Sequence, residues 1–93
     1  DIVVVYHGLL TEGIYFVRGK DGAFSNISTV EVPPNGSTSS TPVIVNGLSG
    51  ADADILYAAG GKLRHARVNG TTATPSDVLN FTGVTMVSAT VAP

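Results

Sequence analysis

Ninety-three residues with no Cys and only 13% charged side chains allow one small domain, and exclude a disulfide scaffold, a thiolate metal site and a charge-rich disordered tail. A net charge of −2, from five cations and seven acids, offers no basic surface for nucleic acid, and no run approaches the roughly 18 apolar residues of a membrane-spanning helix. Thirteen Val and five Ile, against three Phe, three Tyr and no Trp, describe an all-β chain with little bulky material for a core.

Alternating β-branched and aromatic runs, punctuated by Gly, Pro and Asn, predict eight strands in chain order. They fall near residues 2–6, 14–17, 23–32, 42–45, 54–58, 62–68, 77–81 and 85–91. Gly19-Lys20-Asp21-Gly22 ends in an Asp-Gly pair suited to positive φ, and Gly60-Gly61 reads as a compact hairpin turn. A short helix over 51–59 is the rival reading, because Ser49 and Asp52 resemble a capping box ahead of an Ala-rich run. The chain opens on Asp1 rather than Met, which suits a processed product, and Asp1–Tyr6 lacks the basic flank of a signal peptide. Absence of Cys suits an extracellular or virion-associated protein.

Internal similarity organises these elements into two copies. Asn35-Gly-Ser-Thr-Ser-Ser-Thr-Pro42 echoes Asn69-Gly-Thr-Thr-Ala-Thr-Pro75, and Leu48-Ser-Gly50 echoes Phe81-Thr-Gly83. The hairpin at Ile14–Ile27 lies over the one at Leu56–Ala66, which equates Tyr15 with Tyr57 and Phe24 with Leu63. Eight strands in two copies give four strands and about 46 residues per copy, the size of a propeller blade. The expected organisation is a single two-blade unit over 1–93, with repeat 1 at about 1–42, repeat 2 at about 43–75 and closing strands over 76–93. A sandwich of the same eight strands is the alternative arrangement.

Asp54-Ile-Leu-Tyr-Ala-Ala-Gly-Gly-Lys-Leu-Arg-His-Ala-Arg67 resembles the blade hairpin of tachylectin-type β-propeller lectins, in which a Leu-Tyr-Ala-Val strand turns through Gly into a Lys-Leu-Tyr strand. The family's Trp residues are absent, so no particular sugar is implied. The resemblance implies a non-catalytic, glycan-binding chain like those of small, including viral or phage-associated, lectins whose two-blade chains close into rings. Independently of it, two blades leave two apolar sheet faces open, and contact between identical chains would cover them. The small side chains suit the wedge angle of six blades, so a homotrimeric, closed six-bladed propeller is expected. A structural assembly module of a phage or virion appendage, without sugar binding, is the competing function.

Catalytic patterns are sparse. His7 and His65 are far apart, and no nucleophile elbow or phosphate loop occurs. Sugar recognition needs a few fixed polar groups beside an aromatic face, and the repeat nominates Tyr15, Tyr57, Asn26, Arg64 and His65. Asp52 and Asp54 share one face of a strand at the approach to Tyr57 and join the candidate ligand-binding set in clefts between blades. Neither a metal nor any other cofactor is expected.

Overall fold

The computed structural model describes residues 2–8, 12–32, 41–46, 48–78, 83–84 and 87–89. Among these the chain is all-β and forms two four-stranded antiparallel sheets. Sheet 1 contains β1 (Ile2–Gly8), β2 (Gly13–Lys20), β3 (Ala23–Phe24) and β4 (Ser28–Glu31). Sheet 2 is the meander β5 (Val43–Val45), β6 (Ala53–Ala59), β7 (Lys62–Asn69) and β8 (Thr72–Asp77).

In sheet 1, β3 and β4 lie along the same side of β2, at its two ends. The expected strand over 23–32 is therefore one path interrupted at Ser25–Ile27, with a register shift opposite Ile14 and Tyr15. Residues 53–59 form a central strand rather than a helix, because β5 and β7 flank them and satisfy their backbone groups from both sides.

The last strand differs from expectation. Residues 72–76 lie outside the expected strands but, with Asp77, pair with β7 along their whole length, from Asn69 opposite Thr72 to Arg64 opposite Asp77. Pro75 is tolerated because β8 is at the border of its sheet, where a missing N–H costs no ladder bond. The expected strand over 77–81 lies outside the described residues beyond Val78, and within 85–91 only 87–89 are described, where no strand forms. Residues 35–40 of the first Asn-Gly-Ser-Thr segment also lie outside them.

Both hairpins close with the same two-residue turn. Asp21 and Gly22 have φ of 54° and 82°, and Gly60 and Gly61 have 60° and 76°, the signature of a type I′ turn. Lys20 pairs with Ala23 before the first turn as Ala59 pairs with Lys62 before the second. Counting back from the turns equates Phe16 with Ile55, Tyr15 with Asp54 and Arg18 with Tyr57. The expected equivalence of Tyr15 with Tyr57 is thus corrected by three residues, because β2 runs on through Gly19 to Lys20. Past the turns the count places Phe24 with Leu63 and Ser25 with Arg64, whereas Asn26, matched by sequence to His65, lies in the break where no ladder pairing fixes an equivalent.

The sheets meet face to face. Sheet 1 contributes Ile14, Phe16 and Val30, backed by Val3 and Val5, and sheet 2 contributes Ala53, Ile55, Tyr57, Ala59, Ala66 and Val68. Ile14 and Phe16 are the turn-counted equivalents of Ala53 and Ile55, so matching faces meet.

The two sheets also run in opposite senses. Glu31, beside the start of β2, reaches Tyr57 and Arg64 near the Gly60–Gly61 turn, whereas Arg18, near the end of β2, reaches Asp52 and Gly70 at the far end of β6. Radial repetition of blades keeps strand direction and stacks front on back. The observed arrangement is that of a two-layer sandwich, the alternative the sequence left open.

Phe16 and Ile55 are both fully buried at this interface. Truncation of Phe16→Ala removes the bulkiest apolar group that sheet 1 places there and is expected to cost about 3–5 kcal/mol, read as a lower midpoint of urea unfolding.

Candidate functional site

Six of the seven residues nominated from sequence occupy four separate places, and Asn26 lies apart from them. Tyr57 and Arg64 are register partners on the inner face of sheet 2, where Glu31 of the facing sheet meets both. The Tyr57 hydroxyl donates to Glu31 Oε1 at 2.5 Å, while Arg64 donates through Nε at 3.0 Å and through Nη2 to Oε2 at 2.7 Å. Arg64 Nη1 also donates to Asp77 Oδ1 at 2.7 Å, and Lys62 stands 3.5 Å from Asp77. The two-point contact of a guanidinium with Glu31 is a strong, directional pairing. Desolvation, reinforced by Glu31, pushes the Tyr57 hydroxyl far above the usual phenol range, and the hydrogen bonds that Arg64 donates to Glu31 raise its guanidinium further above its ordinary value. With its hydroxyl given to Glu31 and its ring fully buried, Tyr57 is a structural tie between sheets.

Asp54 and His65 lie on the outer face of sheet 2, where Ser49 folds over them. Asp54 is fully buried. Its Oδ1 accepts from the Ser49 hydroxyl and, at 2.8 Å, from His65 Nε2, and its Oδ2 accepts from the Ser49 amide at 3.3 Å. Arg67 Nη2 donates to the Ser49 carbonyl at 3.2 Å. A serine protease relay places the imidazole between hydroxyl and carboxylate. Here the carboxylate is between them, so the Ser49 proton points to Asp54 and the hydroxyl gains no base. Desolvation alone would raise the Asp54 carboxyl, but the bonds from Ser49 and His65 outweigh it and hold the group below its ordinary value of 3.8. The trio braces the segment leading into β6.

Asp52 is elsewhere again. Its Oδ2 accepts from Arg18 Nη1 at 2.8 Å and from the Gly70 amide at 2.9 Å, and Arg18 Nη1 also donates to the Gly70 carbonyl at 3.1 Å. The backbone bond from Gly70, followed by Arg18, keeps the Asp52 carboxyl below its ordinary value. Asp52 therefore does not pair with Asp54 as a joint ligand. No group of three His, Asp or Glu side chains suited to a metal occurs among the described residues. Asn26 is exposed in the break between β3 and β4.

Tyr15 belongs to the fourth place, the outer face of sheet 1. Its ring centroid is 5.7 Å from that of Tyr6, its register partner. Val17 pairs with Val4, and Gly19 is opposite both Ile2 on one side and Phe24 on the other. Ile2, Val4 and Phe24 are 55%, 39% and 61% exposed. A Cβ on Gly19 would come within 2.7 Å of the Phe24 ring and 2.8 Å of Ile2, so this glycine gives the two side chains room across the sheet. The result is a contiguous apolar and aromatic surface with open solvent before it, the kind of patch that marks an interaction site.

Comparison with protein-family models, with curated proteins and with solved structures returned no match. The chemistry of the chain therefore carries the reading by itself. It brings the seven nominated residues to five places rather than one cleft, and five of them serve internal bonds or buried positions. Sequence reasoning missed Glu31, Ser49, Arg18 and Asp77 as partners, and Tyr6 and Phe24 as surface aromatics. A lone acid between two valines, Val30-Glu31-Val32, is the one signal that could have found Glu31.

Replacing Glu31→Gln leaves Arg64 and the Tyr57 hydroxyl short of their shared acceptor charge and is expected to cost about 1–3 kcal/mol in chemical denaturation. The same change at Asp77, which is more exposed, costs less. Because the native carboxyl of Asp54 is held below its unfolded value, its contribution is complete above the unfolded value and drains away as pH falls through the native one. Asp54→Asn is expected to lower stability near neutral pH and to flatten the acid-side loss, measured as urea midpoints between about pH 6 and about pH 3.

Proposed function

We propose that the chain is a non-catalytic β-sheet module that works by associating with copies of itself through the apolar side of sheet 1. One observation carries this reading: Ile2, Val4 and Phe24 are exposed in a continuous surface with Tyr6, Tyr15 and Val17. The polar groups that would make a reacting centre are committed to one another instead. This matches the assembly function expected as the competing reading of the sequence, and an extracellular or virion-associated setting goes with it. A trimeric six-bladed ring would require front-to-back stacking of sheets, whereas the face-to-face, reversed sheets favour assembly in pairs.

A second reading, glycan recognition, is favoured by a hollow of about 310 Å³ beside the first hairpin turn, where Phe24 stands next to Lys20 and Asp21. An aromatic ring with flanking charges is the minimum a sugar needs for stacking and hydrogen bonding. Glycan-array binding lost in Phe24→Ala, with the fold intact, is the result expected on this second reading.

Light scattering across a concentration series tests the assembly reading. The mass is expected to rise above the 9.5 kDa of one chain, and Val4→Lys is expected to keep the chain monomeric without lowering its free energy of unfolding by more than about 1 kcal/mol. A mass fixed at 9.5 kDa at every concentration overturns the proposal.

A further inference from the structure

The strand borders of the two sheets are not alike. β8 carries Pro75 and ends at Asp77, whose carboxylate is held by Arg64 and Lys62. β5 has only three residues, and the β3–β4 border is broken over Ser25–Ile27 and shifted in register. Short strands, proline, charge and irregularity are the devices that keep an edge from recruiting another strand. β1 has none of them. Among the described residues it stands at the border of sheet 1, runs for seven residues, and reads Ile-Val-Val-Val-Tyr-His-Gly with no proline and no acid, Lys or Arg. An uncharged run of strongly β-forming residues is the composition that adds strands most readily.

Resting on the assembly reading above, we infer that β1 pairs edge to edge with β1 of a second copy, antiparallel and about a two-fold axis. The occupant is a second copy because β1 complements itself. Antiparallel pairing lays Ile2–His7 against the same uncharged run, so no like charges meet, whereas β8 lacks at Pro75 an N–H that an added strand would draw on. Such a contact is isologous and closes at two chains. It also continues both sides of the existing sheet. Val4 and Tyr6 extend the apolar outer face across the boundary, and Val3 and Val5 extend the inner face that packs on the core. A single strand pair with its flanking side chains buries less than the roughly 1,200 Å² at the lower end of stable interfaces, so the dimer is expected to dissociate on dilution.

Residue-resolved amide exchange on the uniformly 15N-labelled chain tests this, at dilute and concentrated protein, with the mass measured on the same samples. Every second β1 amide faces away from β2. Those amides are expected to slow by about tenfold or more as the mass rises to two chains, while the amides of β2 and β6 keep their rates. In Val4→Lys the concentration-dependent slowing disappears while β2 and β6 stay protected, which shows that the variant is folded. A rising mass with unchanged outer β1 amides overturns the edge pairing and leaves association through another surface. Outer β1 amides already protected at the lowest concentration overturn it as well, because the chain's own residues then cover that edge. A mass that never rises overturns the assembly reading and this inference together.

Discussion

Glu31 is the side chain on which the arrangement of the two sheets depends. It leaves the last strand of sheet 1 and accepts from Tyr57 and Arg64 of sheet 2, joining two layers whose other contacts are mainly apolar. Apolar burial is non-directional and would tolerate sliding or reversal of one sheet over the other. A two-point guanidinium contact does not. With Arg18 bonded to Asp52 and Gly70 at the opposite end, the sheets are pinned at two places, in one orientation. Those same pins decide which faces remain outside, and so they set the apolar surface of sheet 1 that the functional reading uses.

Much of the strand order was legible because alternation of β-branched residues is a local signal. β1, β2, β6 and β7 all contain the predicted spans, and the Asp21–Gly22 and Gly60–Gly61 turns were read from the φ preferences of their residues. What failed was long-range. Gly19 looked like the opening of a turn, yet it is a strand residue whose missing side chain admits Phe24, and that mistake displaced the repeat alignment along the whole first strand of the hairpin. Thr72–Ser76 falls outside the expected strands because Thr and Pro dominate it, and only the border position of β8 makes that composition usable.

The site was less legible than the fold for a related reason. Tyr15, Tyr57, Asp54 and Arg64 have the right chemistry for recognition, but whether each faces solvent, the opposite sheet or a covering loop is fixed by register and by sheet orientation. A three-residue shift moves Tyr57 from the counterpart of Tyr15 to the counterpart of Arg18, and with it from an outer face to the interior. Asp54 is hidden because Ser49 closes over it, a contact five residues back in sequence that periodicity does not encode. The aromatic residues that do face outward, Tyr6 and Phe24, carry no motif at all and emerge only once cross-strand partners are known.

The layer that sheet 2 gives to the interface contains Ala53, Ala59 and Ala66, with Ala73 packed against it. At these four positions the layer contributes little more than backbone and methyl groups, while Ile55, Tyr57 and Val68 supply its bulk. Its tolerance to sequence drift is therefore one-sided: trimming an alanine to glycine removes one methyl, while any enlargement meets a facing sheet that the Glu31 and Arg18 pins hold in place. Among homologous sequences the signature of this fold would be an upper limit on side-chain volume at these positions rather than a conserved identity. The scarcity of bulky residues in the composition is then a requirement of close sheet approach.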